Sequence, residues 1–256
     1  MTVIDVQVSP AVLDWAGIRE AALAAEAAGF GAFHVFDHLA GLPLGGDSMI
    51  ESFALLGALA EATTTIELGA MVVNVWNRQV GTLVTAAASV AHLSGRHFHL
   101  GIGAGSSPAG PWAAEQHAAG HHVEPELVER QQRVQHVLDL AASSWAPDRS
   151  DHLATFPLPS PTPTIIVGVN SVSLSRLAGR SADGINVQWN RPRRDEFLAA
   201  ADTAAGERRF LRTAYHAYDP ALLDPEHPTR LEMTERRIDR LVLAEFGASP
   251  KFPPSV

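Results

Sequence analysis

The chain has 256 residues, 46% of them apolar, with 28 acidic against 19 basic residues for a formal net charge of −9, and no cysteine. That composition fits one large domain or two small ones, argues against a nucleic-acid surface, and excludes disulfides, thiolate metal sites, iron–sulfur clusters and a cysteine nucleophile. No window approaches the roughly 18 apolar residues of a membrane span, and Met1 to Pro10 lacks a basic segment followed by an apolar run, so the expectation is a soluble cytoplasmic protein.

Val3 to Val8 alternates as a strand does. Ile18, Ala22 and Ala25 then stand at helical spacing along Asp14 to Ala28, which Gly29 closes. The same pair recurs: a strand over Ala32 to Phe36 with a helix over Ser52 to Ala62, a strand over Ile66 to Val73 with a helix over Leu83 to Leu93, and a fourth strand over His97 to Ile102. Ala104 to Pro125, rich in glycine, proline and histidine, is too long for an ordinary connection and reads as a lid-like loop. A helix over Glu126 to Ala141 and a proline-rich connector over Pro157 to Pro163 follow. Next come strands over Thr164 to Val167, Gly184 to Gln188 and Phe210 to His216, with helices over Ser171 to Arg180 and Asp195 to Ala205. Asp219 to Pro228 breaks up around its prolines, and Ile238 to Glu245 is the eighth strand, with one helix over Arg230 to Phe246 as the alternative. Eight strands alternating with helices predict an α/β fold, either a single (β/α)8 TIM barrel or a doubly wound open sheet.

In a barrel, chemistry gathers where strands end. The second strand ends in Asp37-His38, an acid and an imidazole able to move protons near neutrality, or a loop cap and a packed ring. Asn74 ends the third strand, as a ligand contact or a plain turn residue. The fourth strand runs into Gly101-Ile-Gly103-Ala-Gly105-Ser106. The prolines that follow, and the lack of an immediate helix and strand, rule out a dinucleotide fingerprint and leave a turn where backbone can approach a flat ligand. Gly168-Val-Asn170-Ser171-Val172 leads from the fifth strand into a helix, and its free N–H groups suit a phosphate, with Asn170 or Ser171 as an ordinary cap the alternative. Trp76, Trp112 and Trp189 are candidate walls of an apolar substrate pocket or ordinary core. His97 and His99 make a His-x-His pair of the kind that metal-dependent barrel hydrolases use, but they open their strand, at the end opposite to catalysis. No metal is assigned.

The ordered blocks Ala24 to His38 (AAEAAGFGAFHVFDH), Ala60 to Gly69 (AEATTTIELG), Leu93 to Gly105 (LSGRHFHLGIGAG) and Ile166 to Asn186 (IVGVNSVSLSRLAGRSADGIN) resemble the bacterial-luciferase-like monooxygenase superfamily. The resemblance covers about residues 3 to 217 and is strongest to the members that use the deazaflavin coenzyme F420. It implies a single barrel over residues 1 to 256 with an isoalloxazine-type ring laid across the strand ends. Asp37 and Asn74 would lie near that ring, with Gly105 and Ser106 beside it. Gly168, Asn170, Ser171 and Val172 would hold phosphate, and His38 would stand beside the reacting centre. It also implies a non-proline cis peptide at Met71-Val72. The sugar-phosphate dehydrogenase branch carries a glutamate where this chain has Ser106, and Val169 replaces a common glycine.

The expected function is hydride transfer between coenzyme F420 and a small organic substrate. Flavin mononucleotide with molecular oxygen is the alternative, and a metal-dependent hydrolase or a non-catalytic barrel are the rivals of another class. Beyond Glu245 too little sequence remains for a covering helix, so the barrel is expected to be abbreviated at its carboxyl end, with apolar surface that a homodimer would cover.

Overall fold

The computed structural model describes residues 2–247, 250 and 252. Eight strands, β1 (Val3–Val8), β2 (Ala32–Val35), β3 (Glu67–Asn74), β4 (Phe98–Gly103), β5 (Thr164–Gly168), β6 (Gly184–Gln188), β7 (Leu211–Ala217) and β8 (Arg240–Glu245), pair in sequence order. All pairings are parallel, and β8 closes onto β1 from Arg240 opposite Val3 to Glu245 opposite Val8. The fold is therefore the expected (β/α)8 barrel rather than an open sheet.

The helices are α1 (Trp15–Ala27), α2 (Ser52–Ala62), α3 (Val80–Ser94), α4 (Ala114–Ala118), α5 (Leu127–Ser144), α6 (Val172–Ser181), α7 (Arg194–Ala205) and α8 (Pro228–Glu235). Local chemistry explains their starts. Asp14 accepts from the Gly17 N–H at 2.8 Å ahead of α1, and the Ser171 hydroxyl accepts from Leu174 N–H at 3.3 Å ahead of α6. Helix α8 corrects the expectations: the stretch before Ile238 had no helix of its own, and the alternative joined it to the last strand. Proline at the first helical position lacks only an N–H that would have no partner there, and its fixed φ suits a helix, so Pro228 begins α8. His227 caps that turn by accepting from Thr229 N–H at 3.2 Å. The lid-like segment also contains structure, a 3-10 turn over Pro111–Ala113 followed by α4. A covering helix after β8, expected to be missing or short, would fall largely on residues outside those described.

Alternation along the strands divides the core in two. Leu241 and Leu243 of β8 are wholly buried in the apolar layer against the helices, whereas Arg240, of opposite parity, enters the barrel. At the amino-terminal end Arg240 holds both oxygens of Asp5 at 2.7 Å and reaches Glu67 at 2.8 Å. His34 lies 3.4 Å from Asp5, and His99 donates to Glu67 at 2.8 Å. Paired in this way, the charges can stay inside a barrel whose outer layer is apolar. This network also accounts for His99, and His97 lies 2.6 Å from the Thr164 hydroxyl. Among the described residues no three side chains converge to hold a metal ion, and no helix is long and apolar enough to cross a membrane.

Candidate active site

At the opposite end, Asp37 leaves β2 with its side chain out of solvent. Its carboxylate accepts from Ser52 Oγ at 2.6 Å, from two Arg78 nitrogens at 2.7 and 3.0 Å, from Asn77 at 3.3 Å and from Asn74 N–H at 3.2 Å. Burial, the largest influence on Arg78, disfavours its charge, but the carboxylates of Asp37 and Glu51 outweigh that and raise its pKa. Asp37 is therefore a hub that fastens the end of β2 to the β3–α3 connection, with its oxygens directed at protein donors.

His38, the next residue, has Nδ1 2.7 Å from Glu115 Oε1, while Glu115 Oε2 accepts from the N–H groups of Leu39 at 2.8 Å and Ala40 at 3.1 Å. The imidazole is 17% exposed, and among the described residues Nε2 has no hydrogen-bond partner. Trp112 flanks it, with ring centroids 5.2 Å apart. Glu115 comes from α4 and is buried. Beside it Gln116 donates to Asn77 Oδ1 at 3.3 Å, so α4 touches the surroundings of both Asp37 and His38. Sequence reasoning missed Glu115. A signal existed, since it is the sole carboxylate between Gly103 and Val123, but nothing in the spacing points it at a histidine 77 positions away.

The floor of the mouth is built around Val72. The Met71-Val72 peptide is cis, and the β3–β4 register shifts between Ala70 and Val73. Gln7 donates to the Met71 carbonyl. Glycines surround the displaced valine: an added Cβ would come within 3.0 Å of a Val72 methyl at Gly103 and within 2.9 Å of one at Gly168. Asn74 serves the turn, its Oδ1 accepting from Trp76 N–H at 3.0 Å. Gly105 has φ +79°, and a Cβ there would meet Asn74 Oδ1 at 2.8 Å and Trp76 at 2.9 Å, so these three residues adjoin. Trp76 carries the Arg133 guanidinium 4.5 Å over its ring, and its buried indole nitrogen has no partner among the described residues. Ser106 follows, with its side chain near Gly110.

Next round the barrel, Gly168 ends β5, Asn170 is exposed, Ser171 caps α6 and Val172 opens it. The first turn of α5 reaches the same region. Gln131 donates to Ser173 Oγ at 2.8 Å, and Arg130 lies 3.5 Å from the Gly105 carbonyl, its buried Nε without a partner among the described residues. Trp189 is different. Asn186 and Gln188 share inward parity on β6, whereas Ile185, Val187 and Trp189 face the helices. Trp189 is 2% exposed, beneath Arg194 at 3.8 Å and Arg236 at 6.0 Å. It belongs to the packing layer, which leaves Trp76 and Trp112 as the tryptophans of the mouth. Clefts of about 300 Å³ beside Asp202, Arg212 and Asp239, and of about 200 Å³ beside Leu138, Trp145 and Ile165, adjoin the amino-terminal ends of β7 and β5. They lie far from this chemistry.

The arrangement suits a flat ligand with an anionic tail. Glycines at the ends of β4 and β5 make room for Val72 to form a floor free of larger side chains, the start of α6 favours negative charge, and an imidazole nitrogen is free to exchange a proton.

Residues 1–222 match the family model described as luciferase-like monooxygenase. A curated F420-dependent glucose-6-phosphate dehydrogenase from Mycobacterium avium is 30% identical over 176 residues, 64% of this chain and 51% of that protein. The enzyme of that name from Tsukamurella paurometabola is 27% identical over 177 residues, 65% of this chain and 51% of that protein. The chain spans about half the length of the curated relatives it matches. Among solved structures, an F420-dependent secondary alcohol dehydrogenase in complex with an F420–acetone adduct has TM-score 0.73 at 16% identity, covering 96% of this chain and 93% of that one. A coenzyme F420-dependent tetrahydromethanopterin reductase from Methanopyrus kandleri has TM-score 0.66 at 13% identity, covering 95% and 93%. At such identities the likeness shows the fold alone.

Proposed function

The chain belongs to the luciferase-like monooxygenase family, and we propose that within it the protein is an oxidoreductase moving a hydride between coenzyme F420 and a small organic substrate. The observation that carries this reading is His38, an imidazole with one ring nitrogen engaged by Glu115 and the other open at the barrel mouth. The names of the curated relatives favour F420 as the partner.

When bound, the deazaflavin supplies the atom that accepts or gives up the hydride. The chain's own residues do the rest. Gly103 and Gly168 leave room for Val72, Gly105 leaves room for Asn74 and Trp76, and Asp37 ties the end of β2 to Asn74 and Arg78. Asn170, Ser171 and Val172 would hold the phosphate at the start of α6, with Arg130 and Gln131 nearby. Trp76 and Trp112 wall the substrate side. In alcohol oxidation, the hydride leaves carbon with its electron pair as the C=O bond forms, and His38 Nε2 takes the hydroxyl proton; reduction runs the same transfers backwards. Ser106 stands where the sugar-phosphate dehydrogenase branch carries a glutamate, so that branch's reaction loses support and the substrate we favour is a small alcohol or carbonyl compound.

Titrating the purified protein separately with F420 and with flavin mononucleotide, followed by fluorescence, tests the assignment. Saturable binding of F420 is expected. Binding of flavin mononucleotide alone would move the protein to the monooxygenase reading, and binding of neither would leave a non-catalytic barrel.

A further inference from the structure

We propose that Glu115 is a positioning residue that locks neutral His38 in the tautomer carrying its proton on Nδ1, so that the lone pair on Nε2 faces the barrel mouth. Donors and acceptors around the carboxylate decide the tautomer. A carboxylate offers only acceptors. Glu115 Oε2 takes the N–H groups of Leu39 and Ala40 at 2.8 and 3.1 Å, and Oε1 lies 2.7 Å from His38 Nδ1. The hydrogen in that last contact comes from the imidazole, and a neutral ring has only one to give. Nε2 is left as the acceptor.

The contact also gives the lid-like segment a task. Glu115 is held where it is by α4, and its neighbour Gln116 is buried and bonded to Asn77. Docking of α4 thus brings the carboxylate to His38 and stiffens the Leu39-Ala40 turn at the same time. The tautomer follows from the protein alone. Its consequence for turnover rests on the proposed function.

Glu115→Gln makes the test sharp, because the amide has one acceptor and one donor end. Two backbone N–H groups draw its oxygen to the Leu39-Ala40 side, which turns its NH2 toward Nδ1 and obliges the ring to carry its proton on Nε2. Long-range proton–nitrogen correlation spectra of histidine-labelled protein, recorded above neutral pH without cofactor, distinguish the two forms, and His38→Gln identifies the resonance among the 12 histidines. The expected result is Nδ1–H in the native chain and Nε2–H in E115Q. Nε2–H in the native chain, or an unchanged pattern in a folded E115Q, would overturn the proposal, and the first of these needs no variant to fold. With F420 bound, E115Q is expected to lose about 100-fold in turnover at nearly unchanged cofactor affinity. Full turnover with an inverted tautomer would also count against it. If the native chain binds no F420, the proposed function fails while the spectra still decide the tautomer.

Discussion

Asp37 grips the guanidinium of Arg78 with both carboxylate oxygens, at 2.7 and 3.0 Å, and the carboxylate itself has no exposure to solvent. Removing one partner strands the other, so Arg78→Met should destabilise the fold by about 3–5 kcal/mol in chemical denaturation. Asp37→Asn in the Arg78→Met background should recover part of that loss, since it removes the stranded charge. A double variant destabilised by the full sum of the two singles would show that Asp37 does not depend on Arg78.

Stability should fall with acid in two stages. His99 is 2% exposed, and burial pulls its pKa from 6.5 down to about 4, with the hydrogen bond to Glu67 offsetting only part of this. Between those values the unfolded chain takes up a proton that the folded chain refuses, so stability is lost as pH drops through that interval, by about 3 kcal/mol at 1.36 kcal/mol per unit. Lower still, Asp5 and Glu67 contribute. Burial alone would raise both, but hydrogen bonds and charge from His34 and Arg240 on Asp5, and from His99 and Arg240 on Glu67, hold both below their ordinary values. Their stabilisation is complete above the normal carboxylate range and disappears as pH falls through the lowered values. Urea midpoints recorded against pH should show both stages, and His99→Gln should remove the first.

Glu26 caps a turn in an unusual way: Oε1 accepts from the N–H groups of Thr64, Thr65 and Ile66 at 2.8, 2.5 and 2.9 Å. Partial burial raises its pKa, yet the three donors outweigh this and bring it down to about 2. The site is partly solvated, which discounts its worth, so Glu26→Gln should cost about 1 kcal/mol near neutral pH. As the ionised form is the one that stabilises, the difference from the native chain should shrink as pH falls from 4.5 toward 2.

The glycine floor predicts a coupled pair. Gly168→Ala puts a methyl 2.9 Å from Val72 Cγ1, and a β-branched side chain has few rotamers into which to retreat, so a loss of about 1–3 kcal/mol is expected. Val72→Ala in the same chain should return much of it. Purely additive effects in the four-member thermal-unfolding cycle would show that Val72 does not fill the space over Gly168.

Features that depend on neighbours in sequence were legible before the fold was known. Ser171 caps α6 because a hydroxyl reaches an N–H three residues on, and the eight strands show because alternation is a short-period signal. Pro228 shows the limit of such signals: a proline that ends one helix can begin another, and composition around it does not say which. Trp189 shows a second limit, since its role turned on strand parity relative to a barrel axis rather than on its type.

From sequence alone, this chain was committed to alternating strands and helices, to Asp37-His38 at a strand end and to a small-residue entry into α6, because each is encoded within a few residues. Only the tertiary structure decided that Asp37 would be enclosed by Arg78, Ser52 and Asn77, and that His38 would meet Glu115. Those partners come from segments 15 to 77 positions away, and which of many possible carboxylates and cations meet is set by the closing of the barrel and the docking of α4. No local pattern carries that information, because a long loop can bring its ends together in many ways for nearly the same entropy.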